Sequence, residues 1–222
     1  MSLQVTCVSA SNVQNARQQS ASTRTCELVA EILRSQPGAD VQVEIVRLLD
    51  YELTPCRMCG DCFINSECER DPDFNRVFAH LKAADAIFLV CPHYAPLPSK
   101  LVMLLEKMEE IAYLNSCANP DYRFPLHGKP VGLIAHGGQG EAAVPYYRQA
   151  LLEPLANAFS SLQARVIPSD AENPLGAAFG IQSISGQTDS IFVKIEHDWD
   201  IVRRRITPLV MNVLAACHRL ES

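Results

Sequence analysis

Hydrophobic and polar positions change period several times along the chain. Leu3 to Val8 is a short β-prone run, and a polar segment follows it: Ser9-Ala10-Ser11-Asn12 and then Gln14 to Ser20. From about Ser22 the period becomes helical, with Cys26, Val29, Ala30 and Leu33 on one face and Gln36-Pro37-Gly38 as the stop. Val41 to Leu48 reads as a second strand, by the alternation of Val41, Val43 and Ile45. Asp71-Pro72-Asp73 opens a helix through about Lys82, with proline near its start and acids in its first turn. Ala86 to Cys91 is continuously apolar, the pattern of a strand buried on both faces. Lys100 to Ile111 is helical, Tyr113 to Gly128 is a loop, and Val131 to Ala135 is a fourth strand breaking into His136-Gly137-Gly138-Gln139-Gly140. A helix from roughly Ala143 to Leu162 leads to a short fifth strand, Ala164 to Ile167. Gly180 to Ile184 and Ile191 to Ile195 flank Gly186-Gln187-Thr188-Asp189, which predicts a hairpin before the last helix, Asp198 to Arg219. Five rounds of strand, loop and helix predict an α/β protein, a parallel sheet with helices on both sides. We expect one domain over residues 1–222, with an insertion at about 172–196.

Composition adds bounds. Hydrophobic residues make up 48% and charged residues 20%, ordinary for a globular chain of 222 residues. A net charge of -6 argues against nucleic acid or an anionic membrane as a general partner. No apolar stretch approaches the ~20 residues of a membrane span. Met1-Ser2-Leu3-Gln4 leads straight into the first apolar run with no basic-then-apolar signal segment. Nine cysteines, an odd number with a tight cluster among them, fit a reducing cytoplasm better than the outside of a cell. Cys7, Cys26, Cys91, Cys117 and Cys217 lie scattered among apolar neighbours and read mostly as small buried hydrophobes.

The cluster itself occupies a loop at 55–71, between the second strand and the helix that Asp71 opens. Its four thiols, Cys56, Cys59, Cys62 and Cys68, follow C-x2-C-x2-C-x5-C, with Gly60 allowing a tight turn. Structural zinc sites usually separate two C-x2-C pairs by a long loop. Three cysteines at successive x2 intervals and a fourth nearby look more like the run that wraps an iron-sulfur cube, although the usual proline after the fourth is replaced by Glu69. A zinc knuckle, or a redox disulfide such as Cys59 with Cys62, is the alternative.

In an open parallel sheet, ligands sit beyond the carboxyl ends of the strands. The loops expected there are Ser9–Ser22, the cysteine stretch, Pro92–Pro98 and His136–Gly140, so the unusual composition shares one rim. A dinucleotide fold would need G-x-G-x-x-G in the first loop, and no glycine precedes Gly38. The loop offers Ser9, Ser11, Asn12, Ser20, Ser22 and Thr23 instead, at a helix start, where hydroxyls and free N–H groups can hold a phosphate monoester. Arg17 or Arg24 can add charge there. A serine-rich capping loop without ligand is the plainer reading.

The hydroxyl-rich first loop, PCRMCGDCFINSEC, VCPHYAPLPSKLVMLLEKM and GKPVGLIAHGGQG occur in that order. Together they resemble the NADPH-dependent FMN reductase superfamily of flavodoxin-like proteins, and most of all its iron-sulfur flavoprotein branch, over roughly Leu3 to Ile167. The resemblance implies a flavodoxin-like, doubly wound, five-stranded sheet of order 2-1-3-4-5. It implies FMN phosphate bound by Ser9, Ser11, Ser20, Ser22 and Thr23, with Asn12 beside them. It implies Pro92, His93, Tyr94 and Ala95 along the isoalloxazine, and His136, Gly137, Gly138 and Gly140 near the flavin ring. It implies a 4Fe-4S cluster on Cys56, Cys59, Cys62 and Cys68. Glu106-Lys107 stand where members often carry Asp-Arg late in the third helix.

These expectations define a flavin-dependent oxidoreductase that joins two-electron flavin chemistry to one-electron transfer, with NAD(P)H or a ferredoxin as reductant and a small molecule or protein as acceptor. No residue is singled out as catalytic. Arg57 and Arg70 would favour a reduced cluster, or are ordinary solvated charges. His93 and His136 either manage flavin protons or are satisfied by local hydrogen bonds. Homodimers or homotetramers are expected from the resemblance, with 172–196 and Tyr113–Gly128 as contact surfaces. The alternatives are an FMN or quinone reductase without a cluster, and a non-enzymatic zinc or thiol redox sensor on the same scaffold.

Overall fold

The computed structural model describes residues 2–13, 20–38, 40–185 and 194–218. Arg17 and the Gly186–Asp189 turn lie outside the described residues. Strands β1 (Leu3–Ser9), β2 (Val41–Arg47), β3 (Ala86–Pro92), β4 (Pro130–Gly140) and β5 (Arg165–Val166) pair in parallel in the order β2-β1-β3-β4-β5. This is the doubly wound flavodoxin arrangement, whose switch point lies between β1 and β3.

Helices cover both faces. α1 (Ala21–Arg34) and α6 (Trp199–His218) pack on one side; α2 (Pro72–Ala83), α3 (Ser99–Ala118), α4 (Val144–Tyr147) and α5 (Glu153–Ser161) pack on the other. β3 shows why its sequence is apolar without alternation. Ile87, Leu89 and Cys91 enter one core and Ala86, Phe88 and Val90 the other, so each residue of a central strand is buried on one face or the other.

Several boundaries differ from the sequence expectation, each for a tertiary reason. β4 does not break at His136 but runs to Gly140, because β6 (Ala177–Ile181) pairs with it at Ile134, Ala135, His136 and, past a register shift, Gly140. β3 occupies the other side of β4 over Ile87–Pro92, so β6 continues the edge that β5 begins. The fifth position of the sheet is therefore filled by two segments. The predicted hairpin is correspondingly smaller: Gly180 and Ile181 belong to the main sheet, and β7 (Ser183–Ser185) and β8 (Lys194–Glu196) form the antiparallel pair. α3 extends past Ile111 to Ala118 and takes in Tyr113. Between α4 and α5 the helix widens to a π turn over Arg148–Leu152, just before Pro154, which has no N–H to continue an α ladder.

Cys7, Cys26, Cys91 and Cys217 are buried as expected, whereas Cys117 is exposed. No helix among the described residues is long and apolar enough to cross a membrane.

Candidate functional site

The carboxyl ends of β1, β3 and β4 carry the predicted rim, and the first loop is linked to the other two by side chains. Ser9, at the end of β1, is 1% exposed, and its Oγ lies 3.0 Å from Thr23 Oγ1 in the first turn of α1. Ser22 Oγ lies 2.8 Å from His136 Nε2. Tyr94 OH lies 3.3 Å from Ser11 Oγ and accepts from the Asn12 N–H at 3.3 Å. The β3 and β4 ends are joined by the His93 N–H donating to the His136 carbonyl at 2.7 Å.

Ser9, Ser11, Ser20, Ser22 and Thr23 are all buried, which is unusual for hydroxyls clustered at a helix start. Ser20 occupies the N-cap position of α1, yet its side chain makes no cap hydrogen bond, and no acid lies in the first turn. Among the described residues, no N-cap side chain or first-turn acid faces the positive end of this helix dipole. α2 offers the contrast: Asp71 caps it in the usual way, its carboxylate accepting from the Phe74 N–H at 2.8 Å.

His136 is 6% exposed and its ring stacks on Phe179, centroids 5.2 Å apart and planes 7° from parallel. Burial, with His197 nearby, pushes its pKa down to about 3. It is therefore a neutral partner of Ser22 at ordinary pH, which favours local satisfaction over proton management. His93 is more open, and its Nε2 lies 3.1 Å from Tyr146 OH, a tyrosine of α4 that is 49% exposed. Gly137 is pressed against the ring of the buried Tyr147, whose hydroxyl accepts from the Gln139 N–H at 2.9 Å. At Gly138 an added Cβ would meet nothing within 4 Å, so its backbone is approachable by a ligand.

A groove of about 490 Å³ opens beside this rim, lined among others by Asn12, Pro55, Tyr94, Ala95, Met103 and Glu106. Room for a planar ring beside Tyr94, together with a helix start lined by buried hydroxyls, fits a flavin mononucleotide.

The cysteine loop lies next to it. Cys56, Cys59, Cys62 and Cys68 all line one cavity of about 60 Å³, and all four are free thiols. Pro55 lines both the groove and this cavity. α3 walls both, with Met103 and Glu106 on the groove and Lys107, Glu110 and Ile111 on the cavity. Left-handed backbone at Met58 (φ 50°), Gly60 (φ 76°) and Ser66 (φ 53°) turns the loop tightly. Cys56 is anchored by its N–H to Glu106 Oε2 at 3.2 Å, and its sulfur accepts from the Met58 N–H at 3.4 Å. Asn75 holds Cys68 at both backbone groups, accepting from its N–H at 2.8 Å and donating to its carbonyl at 3.0 Å. Burial pushes the Cys62 thiol up to about 11. Its conversion to a ligand would therefore release a proton. Four soft thiols in one cavity suit iron and sulfide, or zinc. Among the described residues, no group of three or more His, Cys, Asp or Glu side chains already converges enough to hold a metal ion.

Sequence reasoning missed Tyr146 and Tyr147, and it named Lys107 only beside Glu106 late in the third helix, with no role at the cysteine loop. Nothing local marks the tyrosines. Lys107 does carry a signal, since it falls on the apolar stripe of α3 with Leu104, Met108 and Ile111.

The sequence profile of the family described as NADPH-dependent FMN reductase matches residues 8–171. An iron-sulfur flavoprotein of Methanocaldococcus jannaschii is 30% identical over 114 residues, covering 51% of this chain and 54% of that protein. An iron-sulfur flavoprotein of Methanosarcina thermophila is 26% identical over 86 residues, covering 38% and 45%. The chain thus spans about half the length of the curated relatives it matches. Among solved structures, an oxidoreductase from Corynebacterium diphtheriae superposes with a TM-score of 0.60 at 14% identity, over 98% of each chain, a likeness of fold.

Proposed function

The chain belongs to the NADPH-dependent FMN reductase family, and from that premise we propose that it is an FMN-dependent oxidoreductase whose cysteine loop holds a 4Fe-4S cluster beside the flavin. Such a pair of groups supplies two-electron chemistry at the flavin and one-electron exchange at the cluster, the combination needed to join a hydride or protein donor to a one-electron partner. The single observation that carries the reading is adjacency: the groove and the cysteine cavity share Pro55 and are walled by successive turns of α3.

The chain's own residues divide the work. Ser9, Ser11, Ser20, Ser22 and Thr23, with the first-turn N–H groups of α1, receive the phosphate. Asn12, Pro92, His93, Tyr94 and Ala95 form one wall for the ring system. Gly138 presents open backbone at the end of β4, Gly140 is paired there with Ile181 of β6, and Gly137 and His136 hold that strand in place from behind. Cys56, Cys59, Cys62 and Cys68 give up their protons to become ligands. The donor is NAD(P)H or a ferredoxin-like protein, and the protein works as a homodimer or homotetramer.

The test is anaerobic reconstitution with iron, sulfide and FMN, followed by EPR of the dithionite-reduced protein. We expect a brown protein with stoichiometric FMN released on heating. Cys59→Ala removes the cluster signal and leaves FMN bound. A colourless protein that takes up zinc in preference to iron would replace this reading with the thiol-sensor one, and an unchanged EPR signal in Cys59→Ala would overturn the ligand set.

A further inference from the structure

The cysteine loop begins after Thr54 and ends before Asp71, and these two residues are bonded to each other. Asp71 Oδ2 accepts from the Thr54 N–H at 2.8 Å and from Thr54 Oγ1 at 3.0 Å. Asp71 Oδ1 meanwhile caps α2 through the Phe74 N–H. The third member comes from the facing helix. Lys107 Nζ lies 2.9 Å from Asp71 Oδ2 and donates to the Thr54 carbonyl. Chain entry, chain exit and α3 are thereby tied in one knot at the neck of the loop.

Both charges are out of water: the Asp71 side chain is 1% exposed and that of Lys107 is 4% exposed. Taking an ammonium and a carboxylate out of water costs several kcal/mol each before pairing, and a buried pair is often no more stabilising than hydrophobes of the same volume. The stripe position of Lys107, among Leu104, Met108 and Ile111, would accept a methionine. Fold stability alone therefore gives no reason for a lysine there. The remaining observation is location: the same side chain lines the cysteine cavity. It closes the loop on one side and lines the cysteine cavity on the other. Asp71 stays ionised opposite it. Burial pushes its carboxyl up, but the Thr54 and Phe74 N–H groups and Lys107 outweigh this and hold it below the usual range.

We propose that Lys107 and Asp71 are a positioning pair for the cysteine site, closing the neck of its loop and fixing the local charge that the bound cluster meets. The proposal rests on the cluster reading above. It requires that the two partners act with opposite sign. Lys107→Met leaves a carboxylate beside the cavity, whereas Asp71→Asn leaves an ammonium there. Since the reduced cluster is the more negative state, its reduction potential falls in the first variant and rises in the second. Lys107→Arg keeps the charge and restores a near-normal potential. Simple loosening of the loop would instead move both potentials in the same direction.

The experiment is a dye-mediated EPR titration of wild type, Lys107→Met, Asp71→Asn and Lys107→Arg, with FMN content as the control for folding. Opposite shifts with FMN retained support the pair; equal-signed shifts, or none, overturn it. If Lys107→Met fails to fold, the upward shift in Asp71→Asn and its absence in Lys107→Arg decide. If wild type itself takes up no iron, the cluster reading has failed separately. The positioning role is then read from hydrogen exchange of the metal-free protein. There, Lys107→Met should speed exchange of the backbone amides of residues 56–70 at least threefold without changing FMN affinity, and unchanged rates overturn it.

Discussion

At the scale of single residues, two neighbours on β4 answer to different physics. Gly137 is chosen by space: a methyl added there would sit inside van der Waals contact of the Tyr147 ring, which is itself fully buried. Gly137→Ala must displace Tyr147 and weaken its bond from the Gln139 N–H. We expect a loss of about 1–3 kcal/mol in urea denaturation. His136 is chosen by neutrality. Its folded pKa of about 3 lies below the ordinary value of 6.5, so the unfolded chain binds a proton that the folded one does not. Its contribution is complete above pH 6.5 and is lost as pH falls towards 3, at up to about 1.4 kcal/mol per pH unit. His136→Gln can keep a bond to Ser22 but has nothing to titrate. The difference in urea midpoint between pH 7 and pH 4.5 should therefore shrink in that variant relative to wild type.

At the scale of elements, the two helix starts of the rim behave oppositely although both begin with a capping residue. Asp71 spends its carboxylate on α2, and Asp71→Ala would leave Lys107 buried without its partner, at a cost of about 3–5 kcal/mol. Ser20 spends nothing on α1. Ser20→Ala should leave the melting temperature of flavin-free protein unchanged and weaken FMN binding about tenfold, the worth of one charge-assisted hydrogen bond. Isothermal titration with FMN checks the second half, and a lowered melting temperature without loss of affinity would count against the assignment. The glycine-rich end of β4 is the other element whose meaning changed on folding. Read alone, Gly137 to Gly140 is a loop; with β6 beside it the segment is strand.

At the scale of the whole molecule, the loop around the cysteines turns apolar side chains outward, with Met58 76% and Ile64 85% exposed. Exposed large hydrophobes concentrated beside a site mark a contact surface. Sedimentation at micromolar concentration should show a dimer or tetramer, and Met58→Ser with Ile64→Ser should shift it towards monomer. A wild-type monomer would remove the homo-oligomer from the proposal. Much of this architecture was legible in advance. The order of strands and helices, the capped start of α2, the buried cysteines of β1, α1 and β3, and the loop carrying Cys56 to Cys68 all follow from patterns a few residues long. The split fifth strand, the long α3 and the reach of β4 were not legible, because each depends on a partner far along the chain.

By itself the sequence determined whatever local periodicity and residue chemistry can encode: the α/β rhythm, four thiols at compact spacing, and a first loop of hydroxyls in place of glycines. Only the tertiary structure decided that Ser22 meets His136, that Tyr94 reaches back to Ser11, that Pro55 borders two cavities, and that Lys107 closes the cysteine loop on Asp71. The reason is physical. Periodicity reports which side of an element is dry, and burial then leaves a polar group no stable choice but a partner. Which partner that is depends on the packing of elements distant in the chain, and no short pattern carries that information.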